Sequence, residues 1–203
     1  MRHQGQRKST PRVTNGNVRK KNDWTLSPDY YDAPIPRMVM IDRRRPREGF
    51  KHVLTTPDIY RFLDLLPDWN TLAVGLNAIV MSRGSNEHDG LYCRDGVVWL
   101  GAWPAGLWAE FEQWYVDEHR DIFDRLEVEC VDVGPDAILC KFDEWSVKAY
   151  QLLHILLHEL GHHQDRMTTR RQLRTARGEP YAEDYARRYE AQIWDSYLRA
   201  FRR

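Results

Sequence analysis

The chain has 203 residues, 42% of them hydrophobic, with eight tryptophans and ten tyrosines, which supplies one domain with a core of its own. Thirty basic residues balance thirty acidic ones, so net charge gives no general pull toward nucleic acid or an anionic membrane. Cys93, Cys130 and Cys140 lack CxxC spacing, which excludes a zinc ribbon and a complete disulfide framework and fits reduced thiols.

Residues 1 to 28 open the chain with Arg2, Arg7, Lys8, Arg12, Arg19, Lys20 and Lys21 ahead of the first acid, Asp23, among Gly, Ser, Thr, Asn and Gln. That composition predicts a disordered basic tail, the one part of the chain with a charge suited to nucleic acid. No apolar core of a signal peptide follows Met1, and the apolar stretch from Leu72 to Met81 is too short for a membrane span. A cytoplasmic protein with no membrane partner is the expectation.

The domain is expected over residues 29 to 203. A Tyr- and Pro-containing lead-in reaches Pro36, and Arg37 to Ile41 predicts a short strand stopped by Arg43, Arg44, Arg45 and Pro46, a basic turn of the kind that solvent or a phosphate satisfies. Thr56, Pro57 and Asp58 predict a helix through Leu66, with Thr56 as its cap and Pro67 as its stop. Ala78 to Ser82 predicts a strand, and Leu91 to Leu100 a hairpin turning on Asp95 and Gly96. Trp108, Phe111, Trp114, Tyr115, Ile122 and Phe123 recur at helical spacing and predict a helix from Leu107 to Leu126. Val128 to Val133 and Ala137 to Phe142 then flank Gly134, Pro135 and Asp136 as a second hairpin.

The next segment, Trp145 to Gln164, has no proline and is apolar nearly all round, which predicts a buried helix. Its polar stripe of Gln151, His154, His158, His162 and Asp165 repeats every three or four residues, so an α-helix gathers it on one face. Burying so many polar groups requires partners, and a metal ion is an economical one. Within the stripe lies His158-Glu159-Leu160-Gly161-His162, an HExxH string. Its histidines stand one turn apart on one face and can share an ion at about 2.0–2.1 Å, while Glu159 is placed to serve as general base toward a water on the ion. The bare string arises by chance in roughly one such chain in fifty to a hundred, so its apolar helical setting has to support it.

A zinc site needs a third protein ligand, and Glu179 and Glu183 offer one from the segment after Gly178. Pro180 predicts a new helix, with Glu179 at its entrance and Glu183 one turn inside on the same face. Whichever carboxylate does not ligate is available to hold a ligand histidine from behind. His154 reads as a supporting or core histidine, His163 as lying outside the site, and Asp165 as a partner for a ligand histidine or for Arg166 or Arg170. Tyr185, Tyr189, Ile193 and Trp194 have core spacing, although a phenol from Tyr181, Tyr185 or Tyr189 has the chemistry to stabilise an oxyanion.

HELGH, followed after a short loop by a helix carrying ExxA and then a further acid and an aromatic, resembles the gluzincin zinc metallopeptidases. The likeness is to their small minigluzincin-type and regulatory, repressor-cleaving bacterial members, and it covers about residues 145 to 190. It implies an α+β, zincin-like single domain in which a small, mostly antiparallel sheet packs on the HExxH helix and a following ligand helix. It also implies Glu179, the first acid of ExxA, as third ligand; the longer gap in thermolysin-like relatives favours Glu183, and both remain candidates.

The expected function is therefore zinc-dependent hydrolysis of a peptide or protein substrate, with zinc on His158, His162 and Glu179 or Glu183, and Glu159 as base. Two rivals share these residues: a catalytically silent zinc-containing regulatory or binding module, and a metal-dependent hydrolase of a non-peptide substrate. An intact Glu159 weighs against the silent module, because a structural site needs no base and closes with four protein ligands.

Overall fold

A computed structural model describes residues 13–14, 17–18, 30, 38–85, 89–93, 96–170, 172 and 175–201. The elements begin with β1 (Val13–Thr14) and β2 (Asn17–Val18), β3 (Met40–Arg43), β4 (Phe50–Lys51), α1 (Thr56–Leu63), α2 (Trp69–Leu72), β5 (Ala78–Met81), β6 (Gly90–Cys93) and β7 (Val97–Leu100). They continue with β8 (Trp103–Pro104), β9 (Trp108–Glu112), α3 (Gln113–Glu118), α4 (Arg120–Arg125), β10 (Glu129–Gly134), β11 (Ala137–Lys141), α5 (Glu144–Ala149), a π-helical segment (Tyr150–Leu156), α6 (Leu157–Met167) and α7 (Glu179–Phe201). The protein is α+β with small sheets. The predicted basic tail lies outside the described residues except for β1 and β2, which form a short antiparallel ladder.

The largest sheet has the order β3-β5-β7-β6. Its first three strands run parallel and only β6 is antiparallel, so the expectation of a mostly antiparallel sheet fails for this sheet. The parallel pairing of β3 and β5 arises because residues 56–72, with α1 and α2, cross between them, and that of β5 and β7 because β6 intervenes in the chain. All four residues of β5 are buried, as a central strand covered on both faces requires. Ile79 and Met81 enter the main core, whereas Ala78 and Val80 join Tyr30 and Val97 in a smaller cluster behind. Of the arginine cluster, Arg44 lies over the Trp99 ring at 4.8 Å.

Two predicted helices change on inspection. α1 is capped by Thr55, whose hydroxyl accepts from Asp58 N while its own amide donates to the Asp58 carboxylate, and it ends at Leu63, short of Leu66. The helix expected from Leu107 to Leu126 is instead β9, α3 and α4. Leu107 enters with φ 65°, which breaks helical geometry, and Trp108, Glu110 and Glu112 then face solvent while Ala109 and Phe111 turn inward. The period of two prevails because β11 supplies a full ladder, Trp108 to Glu112 pairing with Lys141 to Ala137.

β10 and β11 form the expected hairpin, and β9 adds to give the order β10-β11-β9. Cys130 and Cys140 are register partners in it and are joined by a disulfide, so of the three cysteines expected as reduced thiols only Cys93 is free. No helix among the described residues is long and apolar enough to cross a membrane.

Residues 144–167 run as one rod, as the apolar composition predicts, but the middle is π-helical. All of Tyr150 to Leu156 is buried. His154 keeps to the histidine face, its ring centroid 6.2 Å from that of His158, whereas Gln151 leaves it. Gln151 accordingly donates to the Gly101 carbonyl at 2.7 Å rather than facing the histidines.

Candidate metal centre

α6 presents His158 and His162 one turn apart, with ring centroids separated by 4.8 Å. α7 packs directly across it. Gly161 allows that approach, since a Cβ there would fall 2.7 Å from the Ala182 Cα and 3.0 Å from its carbonyl oxygen. α7 therefore brings its first residue, Glu179, onto the histidine pair. Its carboxylate spans them, with Oε2 3.0 Å from His158 Nε2 and Oε1 3.3 Å from His162 Nε2.

Those separations fit a metal. A tetrahedral ion with ligands at about 2.0–2.1 Å sets neighbouring ligand atoms about 3.3 Å apart. Two imidazole nitrogens and one carboxylate are a donor set suited to zinc.

Glu183 sits behind this trio. Its Oε2 is 3.3 Å from His158 Nδ1, the nitrogen turned away from Glu179, and 3.5 Å from His119 Nε2, while Arg187 Nε is 3.0 Å from Oε1. A carboxylate on Nδ1 keeps the proton there and directs the Nε2 lone pair forward. Burial opposes the charge of Glu183, but the bonds to His119 and His158 hold its carboxyl far below the usual carboxylate range. Burial likewise opposes a charged His158, yet the bond to Glu183 and the fields of Glu159, Glu179 and Glu183 hold its pKa above the ordinary value. His162 is shifted downward by burial and by the charge of His158.

A second group with metal-ligating atoms close together is His119, His154 and Glu183. Charge balance separates the two groups. Glu183 already carries the Arg187 guanidinium, and a dication added to the same carboxylate would meet that charge at short range. Glu179, by contrast, pairs with His158 and His162 alone among the described residues. His119 donates Nδ1–H to the Tyr115 carbonyl at 2.8 Å and stacks on the Tyr115 ring. His154 lies 3.3 Å from the Tyr115 hydroxyl through Nε2, and burial lowers its pKa to about 3, so it is neutral.

Glu159 lies against the start of β6 and lines the same cleft as His158 and Glu179. A Cβ on Gly90 would come within 2.6 Å of Glu159 Oε1, so only glycine leaves the carboxylate its space. Burial raises its pKa to about 7, against the opposing charge of His158 and a bond from the Tyr92 backbone. In the metal-free protein this carboxyl therefore keeps its proton up to about neutrality.

Asp165 partners neither a ligand histidine nor Arg166 or Arg170. It is fully buried and accepts from Arg177 N at 2.7 Å, Arg177 Nε at 2.8 Å and Gly178 N at 3.0 Å. His163 is turned away, with Nε2 3.0 Å from the Val74 carbonyl and Nδ1 3.2 Å from the Tyr92 hydroxyl. Tyr181, Tyr185 and Tyr189 form a ring ladder along α7, and Tyr189 donates to Asp68, so this row serves packing.

His119, Tyr115, Arg177 and Arg187 are the site's unforeseen members. None belongs to a motif, and His119 and Tyr115 fall in a segment whose aromatic spacing suggested core alone. Compared with known proteins, the chain matches no family model, no curated protein and no solved structure.

Proposed function

We propose that this chain is a zinc-dependent peptidase in which His158, His162 and Glu179 hold the metal and Glu159 is the general base. The observation that carries the proposal is the convergence of His158 Nε2, His162 Nε2 and the two Glu179 oxygens at 3.0 and 3.3 Å, next to a buried carboxyl with a pKa of about 7. Bound zinc would supply Lewis acidity and bring the pKa of a coordinated water toward about 7.

The protein's own groups divide the remaining work. Glu159 takes the proton from the attacking water and returns it to the leaving amine. Glu183 keeps the proton of His158 on Nδ1, and His119 and Arg187 hold Glu183. The centre opens into a cleft lined by Asp89 and Gly90 at the start of β6, by all of β9, by α3 and by the first turns of α7. β9 pairs with β11 on one side and with no described strand on the other. Its main chain can therefore receive an extended peptide as an added strand and carry a scissile bond past the histidines.

The gluzincin-type, zincin-like assignment belongs to the same proposal. It is supported by the ExxA glutamate that reaches both histidines and by an antiparallel edge strand, β6, packed beside α6. The test is metal content and metal dependence. Purified protein is expected to hold one zinc per chain and to cleave unfolded polypeptides, with activity lost on chelation and restored by zinc. Hydrolysis that persists after the metal is removed would overturn the proposal.

A further inference from the structure

The walls of this cleft carry one sign of charge. Beyond the groups assigned to the metal and its support, its lining presents the carboxylates of Asp89, Glu110, Glu112, Glu118 and Asp184, of which Asp184 is paired with Arg188 at 3.0 Å. The sole lysine or arginine among the lining residues is Arg187, and Glu183 already engages it. Glu110 and Glu118 make no ion pair among the described residues, and both are exposed. The chain as a whole is neutral, so this is a segregation of charge and not a consequence of composition. A concave surface of one sign concentrates ligands of the other sign, because its low-dielectric walls focus the field.

A second, independent feature has the same preference. Trp108 and Trp114, 45% and 59% exposed, stand on the β9 and α3 side of the cleft. Trp114 is fixed by a contact from its Nε1–H to the Glu112 carboxylate, which sets an open indole beside an acid. Trp108 already has the Lys141 ammonium 4.9 Å from its ring centroid. An indole face next to a carboxylate attracts a guanidinium or an alkylammonium by charge and by the ring quadrupole together. Large exposed aromatics gathered in one cleft also mark a contact surface.

We infer that the cleft selects extended polypeptide segments bearing lysine or arginine side chains, with Glu110, Glu112, Glu118 and Trp114 determining that preference. β9 sends Trp108, Glu110 and Glu112 to one side at every second residue. A strand laid along its open edge presents alternate side chains at the same spacing, so successive basic residues meet successive acids. The inference rests on the peptidase reading for the bond that is cut, but the side-chain preference is measurable without turnover.

The test uses the full-length, zinc-loaded Glu159→Gln protein and two fluorescent peptides that share a backbone pattern, one carrying lysines and the other glutamates at the variable positions. The lysine peptide is expected to bind at least about tenfold more tightly, with the gap closing as salt rises from about 0.05 to about 0.5 M. The double variant Glu110→Lys/Glu118→Lys is expected to keep one zinc per chain and to reverse the order of the two peptides. Equal binding of both peptides, binding of neither, or an order unchanged by the charge reversal would overturn the inference. If the lysine peptide binds as expected but wild-type protein with zinc leaves it uncut, the specificity stands and the peptidase reading falls.

Discussion

Asp165 and Arg177 are joined by two bonds, from the backbone N–H and from Nε, at the point where the chain leaves α6 and returns to begin α7. Burial opposes the charge on Asp165, but these bonds and one from Gly178 hold its pKa below the usual range. Glu179 follows Gly178 directly, so this buried carboxylate fixes the entry of the residue proposed as third metal ligand. Asp165→Ala leaves those amides without their acceptor. It is expected to destabilise the protein by about 2–4 kcal/mol and to weaken zinc at least about tenfold, read by urea unfolding and chelator competition. Unaltered zinc affinity would show that Glu179 is held by other means.

The two glutamates of α7 have separable roles. Glu179→Gln removes a ligand, so zinc is expected to be lost in dialysis. Glu183→Gln keeps all three ligands but loosens His158, and a fall in affinity of about 10–100-fold with one zinc still bound at saturation is expected. Equal loss in both variants would mean that Glu183 also ligates.

The contact between Gly161 and Ala182 makes a packing prediction. Gly161→Ala forces α7 away from α6 because backbone atoms of Ala182 occupy the place of the new Cβ. A loss of about 1–3 kcal/mol is expected, together with weaker zinc binding, since Glu179 rides on α7. Thermal unfolding in chelator and zinc titration read the two effects separately.

Glu159 gives a pH dependence with a definite sign. In metal-free protein its pKa is about 7 against an ordinary 4.5. Between these values the unfolded chain has released the proton and the native chain retains it, so this group makes stability fall as pH rises. The penalty is complete above about pH 7 and amounts to about 3 kcal/mol. Glu159→Gln is therefore expected to be the more stable protein in chelator at pH 8, with the advantage shrinking below about 1 kcal/mol at pH 5. Urea midpoints at the two pH values check it.

His163 acts in the opposite direction. Burial lowers its pKa to about 4 from 6.5, so the native chain stays neutral where the unfolded chain takes up a proton. Its contribution is present above pH 6.5 and is lost as pH falls toward 4. His163→Gln is expected to flatten the fall in stability between pH 6.5 and 4.5 by about one proton. An unchanged slope would place the charged form inside the fold.

The parts of the site legible in the sequence are those set by spacing along one helix. His158, Glu159 and His162 share α6, and Glu179 and Glu183 share the first turns of α7. Which of the two glutamates lies across both histidines was not legible, because it depends on how closely α7 crosses α6, and Gly161 records that distance without showing it. Tyr115 from α3 and His119 from the junction of α3 and α4 reach the centre by packing alone. In the fold, Trp108 and Phe111 stand three apart, a helical spacing that a strand sends to opposite faces, and the ladder with β11 overrides it. Cys130 and Cys140 lie symmetrically about Pro135 in the hairpin, and that symmetry was the available sign of their pairing.

The most direct measurement compares hydrolysis of an unfolded polypeptide by wild-type and Glu159→Gln proteins that carry equal zinc. The account expects a loss of about three or more orders of magnitude in kcat for Glu159→Gln, with one zinc retained per chain. A Glu159→Gln protein that holds its zinc and cleaves at the wild-type rate would contradict it.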